Sequence, residues 1–195
     1  MDNCTYSFNA FNDCAKYGIG DALAKFNVNN LKPIVVCVGS DLVLGDCLGP
    51  LVGTFLKAKR LNSYVYGTLN SPVTAKDVDY ASTYLKRLHN SSLVISVDAA
   101  VGASDDVGVI KVINRGLKPG LGVNKNLNPI GDVSVIGIVA EKTKNNYNLF
   151  NFTRLNLVYK MAQVISIGIE NFINDFMKAT SDKQINLSNE RIIVL

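Results

Sequence analysis

An α/β sandwich with a largely parallel central sheet is the fold this sequence predicts, and three observations point to it. Two short runs, Pro33-Ile-Val-Val-Cys-Val38 and Leu93-Val-Ile-Ser-Val97, are apolar at nearly every position, as strands buried on both faces are. Each adjoins a segment whose apolar residues recur every three to four positions, the period of one helix face. Strands alternating with helices in this order build a three-layer α/β/α arrangement around the sheet.

The elements follow in chain order. Residues 1–31 are polar and Asn-rich with a weak helical pattern, and are expected as an N-terminal extension on the outside of the domain. The first buried strand stops at Gly39. From Asp46 the period switches: Leu48, Leu51, Val52, Phe55 and Leu56 share one helix face, with Pro50 in the first turn, where no N–H is required. Tyr64–Gly67 is a short strand candidate. Thr74-Ala-Lys-Asp77 reads as a capping box opening a helix that turns Val78, Ala81, Leu85 and Leu88 inward. The second apolar strand ends at Asp98. Val107–Ile113 and Val133–Val139 are further strands, joined by a Gly/Asn/Pro-rich stretch. A long helix over 152–177 puts Phe152, Leu155, Tyr159, Ala162, Ile169, Phe172 and Phe176 on one stripe, and 179–195 is a mostly polar C-terminal tail. The whole reads as one domain with its core at 32–178.

Composition narrows the function classes. The chain has 195 residues, 48% hydrophobic and 18% charged, the balance of a globular domain. No apolar run approaches the ~18 residues that span a bilayer, and the N-terminus shows no basic-then-apolar signal layout, so a soluble cytoplasmic protein with no membrane partner is expected. The net charge of +4 is spread out and no basic run reaches five residues, so no nucleic-acid footprint is expected. Cys4, Cys14, Cys37 and Cys47 lack CxxC spacing and read as reduced thiols. The single histidine, His89, sits late in a helical segment and reads as a solvated helix end. A Ser–His–Asp triad, a Cys–His dyad or a multi-His metal site would each have to be built on it. Chemistry, if present, therefore runs on carboxylates.

In parallel sheets function collects where strands end at their carboxyl edge, and three segments deserve that reading. Gly39-Ser-Asp-Leu-Val-Leu-Gly-Asp-Cys-Leu-Gly-Pro50 follows the first strand and holds Asp41 and Asp46, the latter at the mouth of a helix. Asp46 reads either as a plain N-cap or as a reactive acid. A phosphate cradle is a competing idea, but the stretch matches neither GxGxxG nor GxxxxGK[ST], and its acids would repel phosphate. Cys47 would have a lowered pKa if exposed there, yet no histidine base accompanies it. Asp98 closes a buried strand and needs a partner: a hydrogen bond to a neighbouring loop, or a second acid across the sheet edge. Two acids held close share a proton, activate water and protonate a leaving group; Asp41, Asp46 and Asp98 could instead hold a divalent metal. Leu117-Lys-Pro-Gly-Leu-Gly-Val-Asn-Lys125 is an ordinary crossover loop or a loop whose backbone N–H groups pin an extended peptide beside Lys125.

Together, GSDxxxGDxLGP, the VDA at the strand end, and PGLGVNKNL followed by VSVIGIV resemble the YyaC-type sporulation proteins, over residues 32 to about 175. These group with the spore germination proteases and, more distantly, the hydrogenase maturation endopeptidases. The resemblance implies a maturation-protease-like α/β/α fold and an aspartate-dependent endopeptidase, active without a cofactor, in the forespore or spore core. It assigns Asp46 and Asp98 as catalytic acids, with Asp41 as a substitute third acid. It makes Gly39, Ser40, Gly49, Pro119, Gly120, Gly122 and Lys125 the substrate-binding set. The expected partner is a protein or peptide substrate such as a small acid-soluble spore protein, with a homo-oligomer left open. Two departures stand out: maturation proteases carry a histidine metal ligand after the second acid, whereas His89 precedes Asp98, and their first loop has Asn where this chain has Asp41. The alternatives are a non-catalytic sporulation binding protein on the same fold, and a divalent-metal hydrolase using the same acids.

Overall fold

The structure, a computed structural model, describes residues 4–118, 129–142, 150 and 153–192, with side chains through 182. Six strands form one sheet in the order β1-β5-β6-β4-β2-β3. The elements are β1 (Thr5–Asn9), α1 (Ala15–Phe26), β2 (Lys32–Cys37), α2 (Leu48–Ala58), β3 (Val65–Tyr66), α3 (Val78–Leu88), β4 (Ser92–Gly102), a 3-10 turn (Ser104–Asp106), β5 (Val109–Ile113), β6 (Val133–Glu141) and α4 (Leu155–Ile192). β3, β2, β4 and β6 run parallel, while β5 and β1 are antiparallel additions at one side. The mostly parallel α/β/α prediction therefore holds.

Helices α1, α2 and α4 cover one face, where Ile19, Leu23, Leu48, Val52, Leu56, Met161, Ile165 and Ile169 pack on Val35, Ile95, Val97, Val112 and Val135. On the other face α3 seats Val78 and Leu85 on Ile34, Val36, Val38 and Val94. The apolar run of β2 is thus split between two cores, which is why it shows no alternation. Among the described residues no helix is long and apolar enough to cross a membrane.

Four expectations need correction. Residues 1–31 are not an outer extension: β1 is the antiparallel edge strand, with Tyr6 and Phe8 packed against the main core, and α1 buries Ala15, Ile19, Ala22 and Leu23. The helical signal of α1 was weakened by Gly18 and Gly20, each a cost of ~1 kcal/mol against Ala in propensity. Here such glycines permit close packing, since a Cβ on Gly20 would lie 3.3 Å from the Gly168 carbonyl of α4. The strand expected to end at Asp98 continues to Gly102, because β6 keeps pairing with it after β2 has stopped. The segment from 179 onward, expected as a tail, continues α4 to Ile192. Within the long helix the buried stripe is Val158, Met161, Ala162, Ile165, Ile169 and Phe172, whereas Leu155 and Tyr159 are exposed; Leu88 of α3 is exposed too.

A candidate acid pair at the carboxyl edge of the sheet

The loop between β2 and α2 is held by backbone rather than by side chains. The Gly39 N–H donates to the Val73 carbonyl (2.9 Å), Ser40 N–H to the Asp46 carbonyl (3.2 Å), Gly45 N–H to the Phe150 carbonyl (2.9 Å) and Cys47 N–H to the Val43 carbonyl (3.1 Å). Gly39 sits at φ 142°, and a Cβ there would collide with the Asp46 carbonyl. Gly49 lies within α2 against the end of β2, where a Cβ would fall 2.0 Å from the Val38 carbonyl oxygen. Both glycines are buried, so their requirement is explained by packing that seats the start of α2 on the strand end. This close seating is what sets the position of Asp46.

Asp46 does not cap the helix. Cys47 occupies the cap position without a side-chain hydrogen bond, and Asp46 precedes it, half-buried. Burial pushes the Asp46 carboxyl up, and the Ser40 backbone N–H pulls it part of the way back. Asp98 lies on β4 opposite Ile136 of β6, one residue past the last β2–β4 pair, Cys37 with Val97. Its Oδ1 accepts the Ala99 N–H at 2.8 Å. Burial raises its carboxyl well above the usual carboxylate range, the Ala99 N–H opposes this, and the charge of Asp46 raises it further. The two acids are thus within each other's field at the edge where the parallel strands end. The charge of Asp46 thereby adds to the burial that opposes ionisation of Asp98.

Asp41 stands exposed in the same loop, next to Ser40, whose Oγ accepts the Leu42 N–H (3.2 Å). Among the described residues no group of three or more His, Cys, Asp or Glu side chains is placed to hold a metal ion, so the structure does not gather Asp41, Asp46 and Asp98 into a metal site. Cys47 is buried and donates its thiol to the Leu44 carbonyl (2.8 Å). Burial, with the charges of Asp46 and Asp41, raises its pKa, the reverse of the lowering expected for an exposed helix-start thiol. Pro119, Gly120, Gly122 and Lys125 lie outside the described residues.

His89 is at the other end of the sheet, in the turn that leads into the start of β4. It is not a bare solvated helix end: its Nε2 is 2.7 Å from the Tyr66 hydroxyl and its ring lies 4.9 Å from that of Tyr64. Reading the sequence residue by residue missed one pair near the acids. Lys111 of β5 shares a row with Ile136 and Asp98 on one face of the sheet, and its Nζ donates to Asp106 Oδ2 at 2.8 Å. Only strand register reveals that row. A cavity of about 290 Å³ between α1 and α4, with Tyr17, Asp21, Asn171 and Phe176 in its lining, includes neither acid.

A six-stranded, mostly parallel sheet with helices on both faces is an α/β/α sandwich. The structure is similar to the crystal structure of the NiFe hydrogenase maturation protease HycI from Thermococcus kodakarensis KOD1, with a TM-score of 0.53 over 78% of this chain and 98% of that one, at 16% identity. At that identity the likeness establishes the fold. The chain belongs to the DUF1256 family, described as a protein of unknown function, which matches residues 8–168. It is 44% identical over 140 residues to the uncharacterized protein YyaC of Bacillus subtilis (strain 168), covering 71% of this chain and 68% of that protein. The family match begins inside β1, in keeping with the corrected place of the N-terminal segment in the fold.

Proposed function

We propose that this chain is an endopeptidase that hydrolyses a peptide bond in a protein substrate with the Asp46–Asp98 pair. The observation that carries the reading is the placing of two burial-raised carboxyls at the carboxyl edge of a maturation-protease-like sheet, the charge of Asp46 adding to the rise at Asp98. In this reading the pair shares one proton, held by Asp98, the more strongly raised of the two. The Asp46 carboxylate accepts a proton from a water whose oxygen adds to the scissile carbonyl carbon. Asp98 donates its proton to the carbonyl oxygen, and the proton taken up by Asp46 leaves with the amine when the C–N bond breaks; one hydroxyl proton of the tetrahedral intermediate returns to Asp98 as the carbonyl re-forms, which restores the singly protonated pair. Asp41, exposed in the same loop, adds negative charge that disfavours full ionisation of the pair. Ser40 contributes its N–H to Asp46, while Gly39 and Gly49 support the geometry from beneath. The sporulation setting and the small acid-soluble spore proteins as first substrates rest on the motif resemblance to germination proteases.

The test is cleavage of small acid-soluble spore proteins, and of the chain's own N-terminus, by the wild type and by Asp46→Asn and Asp98→Asn. Each variant should lose at least a hundredfold in kcat/KM, the lower bound for removing a positioned acid or base. If the wild type cleaves and both variants keep full activity, the acid pair is not the catalyst. A wild type that cleaves no protein substrate sinks the peptidase reading.

A further inference from the structure

The edge of the sheet opposite the acids has its own character. Helices α1 to α3 end there, and β2 and β4 begin there, with Lys32 paired to Ser92. Exposed cations collect at it: Lys57 in the last turn of α2, Lys86 and Arg87 in the last turn of α3, Lys32 at the start of β2, and Arg60 just past α2. The helix dipole accounts for the last-turn residues, because cations are favoured at helix C-termini. It does not account for Lys32, nor for Arg60, which is held at φ 52° one position beyond the C-cap. Glycine is the usual residue there, and a side chain costs ~1 kcal/mol. Two acids on this side are engaged: Glu170 Oε2 is 2.6 Å from Lys59 Nζ, and Asp132 Oδ2 accepts the Val94 N–H at 2.8 Å.

Beside these cations stands a continuous ladder of rings along the β3 side of the sheet. Tyr64 lies 4.9 Å from His89, His89 5.8 Å from Tyr66, Tyr66 6.3 Å from Tyr84, and Tyr84 6.1 Å from Tyr80. The ladder is open to solvent: Tyr64 is 58% exposed, Tyr84 41% and Tyr80 75%. The Tyr66–His89 hydrogen bond fixes its centre.

We propose that this face binds single-stranded nucleic acid, its phosphates on the cations of the amino edge and its bases stacked on the tyrosine ladder. An acidic polypeptide would use the cations alone, and an anionic membrane, which does accept tyrosine at its headgroup level, needs no ordered row of rings. Unpaired bases use both, since each offers a planar face and each phosphate a charge. A duplex keeps its bases stacked inside and cannot reach the rings. The inference is independent of the acid pair, which lies at the opposite edge. It also departs from the expectation drawn from charge runs. The cations come from positions 32, 57, 60, 86 and 87, and only the fold brings them together.

The test is fluorescence anisotropy of a labelled oligothymidine of about 20 nucleotides and a single-stranded RNA of similar length, with the full chain and with variants. Both should bind, and affinity should fall about 100-fold between about 50 and 200 mM salt if five cations each meet a phosphate, each adding ~−0.7 to the logarithmic slope. Tyr64→Ala combined with Tyr84→Ala should lose about tenfold or more. Arg60→Gly separates binding from structure: it removes the charge while relieving the backbone, so it should weaken binding yet melt no lower than the wild type. The proposal is overturned if no oligonucleotide binds at low salt, or if the tyrosine variant binds as well as the wild type. It is also overturned if polyglutamate, duplex DNA or phosphatidylglycerol vesicles displace the probe as effectively as unlabelled oligothymidine.

Discussion

Replacing Gly49 by alanine pits two effects of known sign against each other. Gly49 is the second residue of α2, and a glycine-to-alanine change in a helix ordinarily stabilises by up to ~1 kcal/mol through propensity and unfolded-chain entropy. Here the new Cβ would stand 2.0 Å from the Val38 carbonyl oxygen, 2.9 Å from its carbon and 3.0 Å from its nitrogen. All three are backbone atoms of a buried strand end, so no side chain can swing aside. The helix must lift by about an ångström, and overpacking of this kind costs ~1–3 kcal/mol. Sterics win, with a net loss of ~1–2 kcal/mol. For a chain of this size that lowers Tm by roughly 2–8 °C at ~2–4 °C per kcal/mol. Thermal and urea denaturation followed by circular dichroism would measure it. Lys57→Ala, exposed on the same helix, is the control and should stay within ~0.5 kcal/mol. If Gly49→Ala melts at or above the wild type, α2 is not seated on β2 by backbone contact, and the account of how Asp46 is positioned fails with it.

Asp98→Asn should stabilise the protein at neutral and alkaline pH while abolishing cleavage. The folded-state pKa of Asp98 lies well above its unfolded value, so ionising it costs stability. That cost is absent below the unfolded pKa of ~3.9, grows as pH rises through the window between the two values, and is complete above the folded one. The Tm advantage of the asparagine variant should therefore vanish near pH 3.5 and grow as pH rises; a constant offset at all pH values would contradict the burial argument. Removal of residues 1–31 should leave an insoluble or molten chain, because it strips β1 from the sheet and exposes the surfaces under Ile19 and Leu23, each worth ~1.5–3 kcal/mol when buried. A truncated chain with a sharp thermal transition like that of the full chain would show the segment to be dispensable.

The features that the sequence made legible were those dictated by local physics. The two apolar strands, the period switch at Leu48 and the capping motif at Thr74 each need only neighbours in the chain. Thr74 does meet Asp77, its hydroxyl donating to Asp77 Oδ2 at 2.7 Å, but in a turn ahead of α3: the helix starts at Val78, and Asp77 holds the cap position without a side-chain cap hydrogen bond. Asp46 and Asp98 were recognisable because polar groups at the ends of apolar strands demand an explanation. What stayed hidden depends on register or on distant packing. Nothing in Ser-Val-Asp-Ala-Ala tells that β6 carries the strand on past Asp98. The alternation of Tyr6 and Phe8 is too short to stand out within an Asn-rich segment. Gly18 and Gly20 argue against a helix until Phe8 of β1 is seen lying against the first and α4 against the second. The amino-edge cations and the ring ladder are likewise assembled from separate elements, so no window along the chain contains them.

The loop from Gly39 to Cys47 looks like a surface turn in the sequence, yet five of its amide protons are engaged, four by the carbonyls of Val43, Asp46, Val73 and Phe150 and one by the Ser40 hydroxyl. Its opening cannot be a local flicker, because releasing it means separating α2 from the strand beneath. Those amides should exchange with solvent on the timescale of sub-global unfolding rather than of loop motion. An acid held this way is a fixed jaw. If the pair acts on a substrate as proposed, whatever moves to admit it lies on the far side of the pair, and turnover would be timed there.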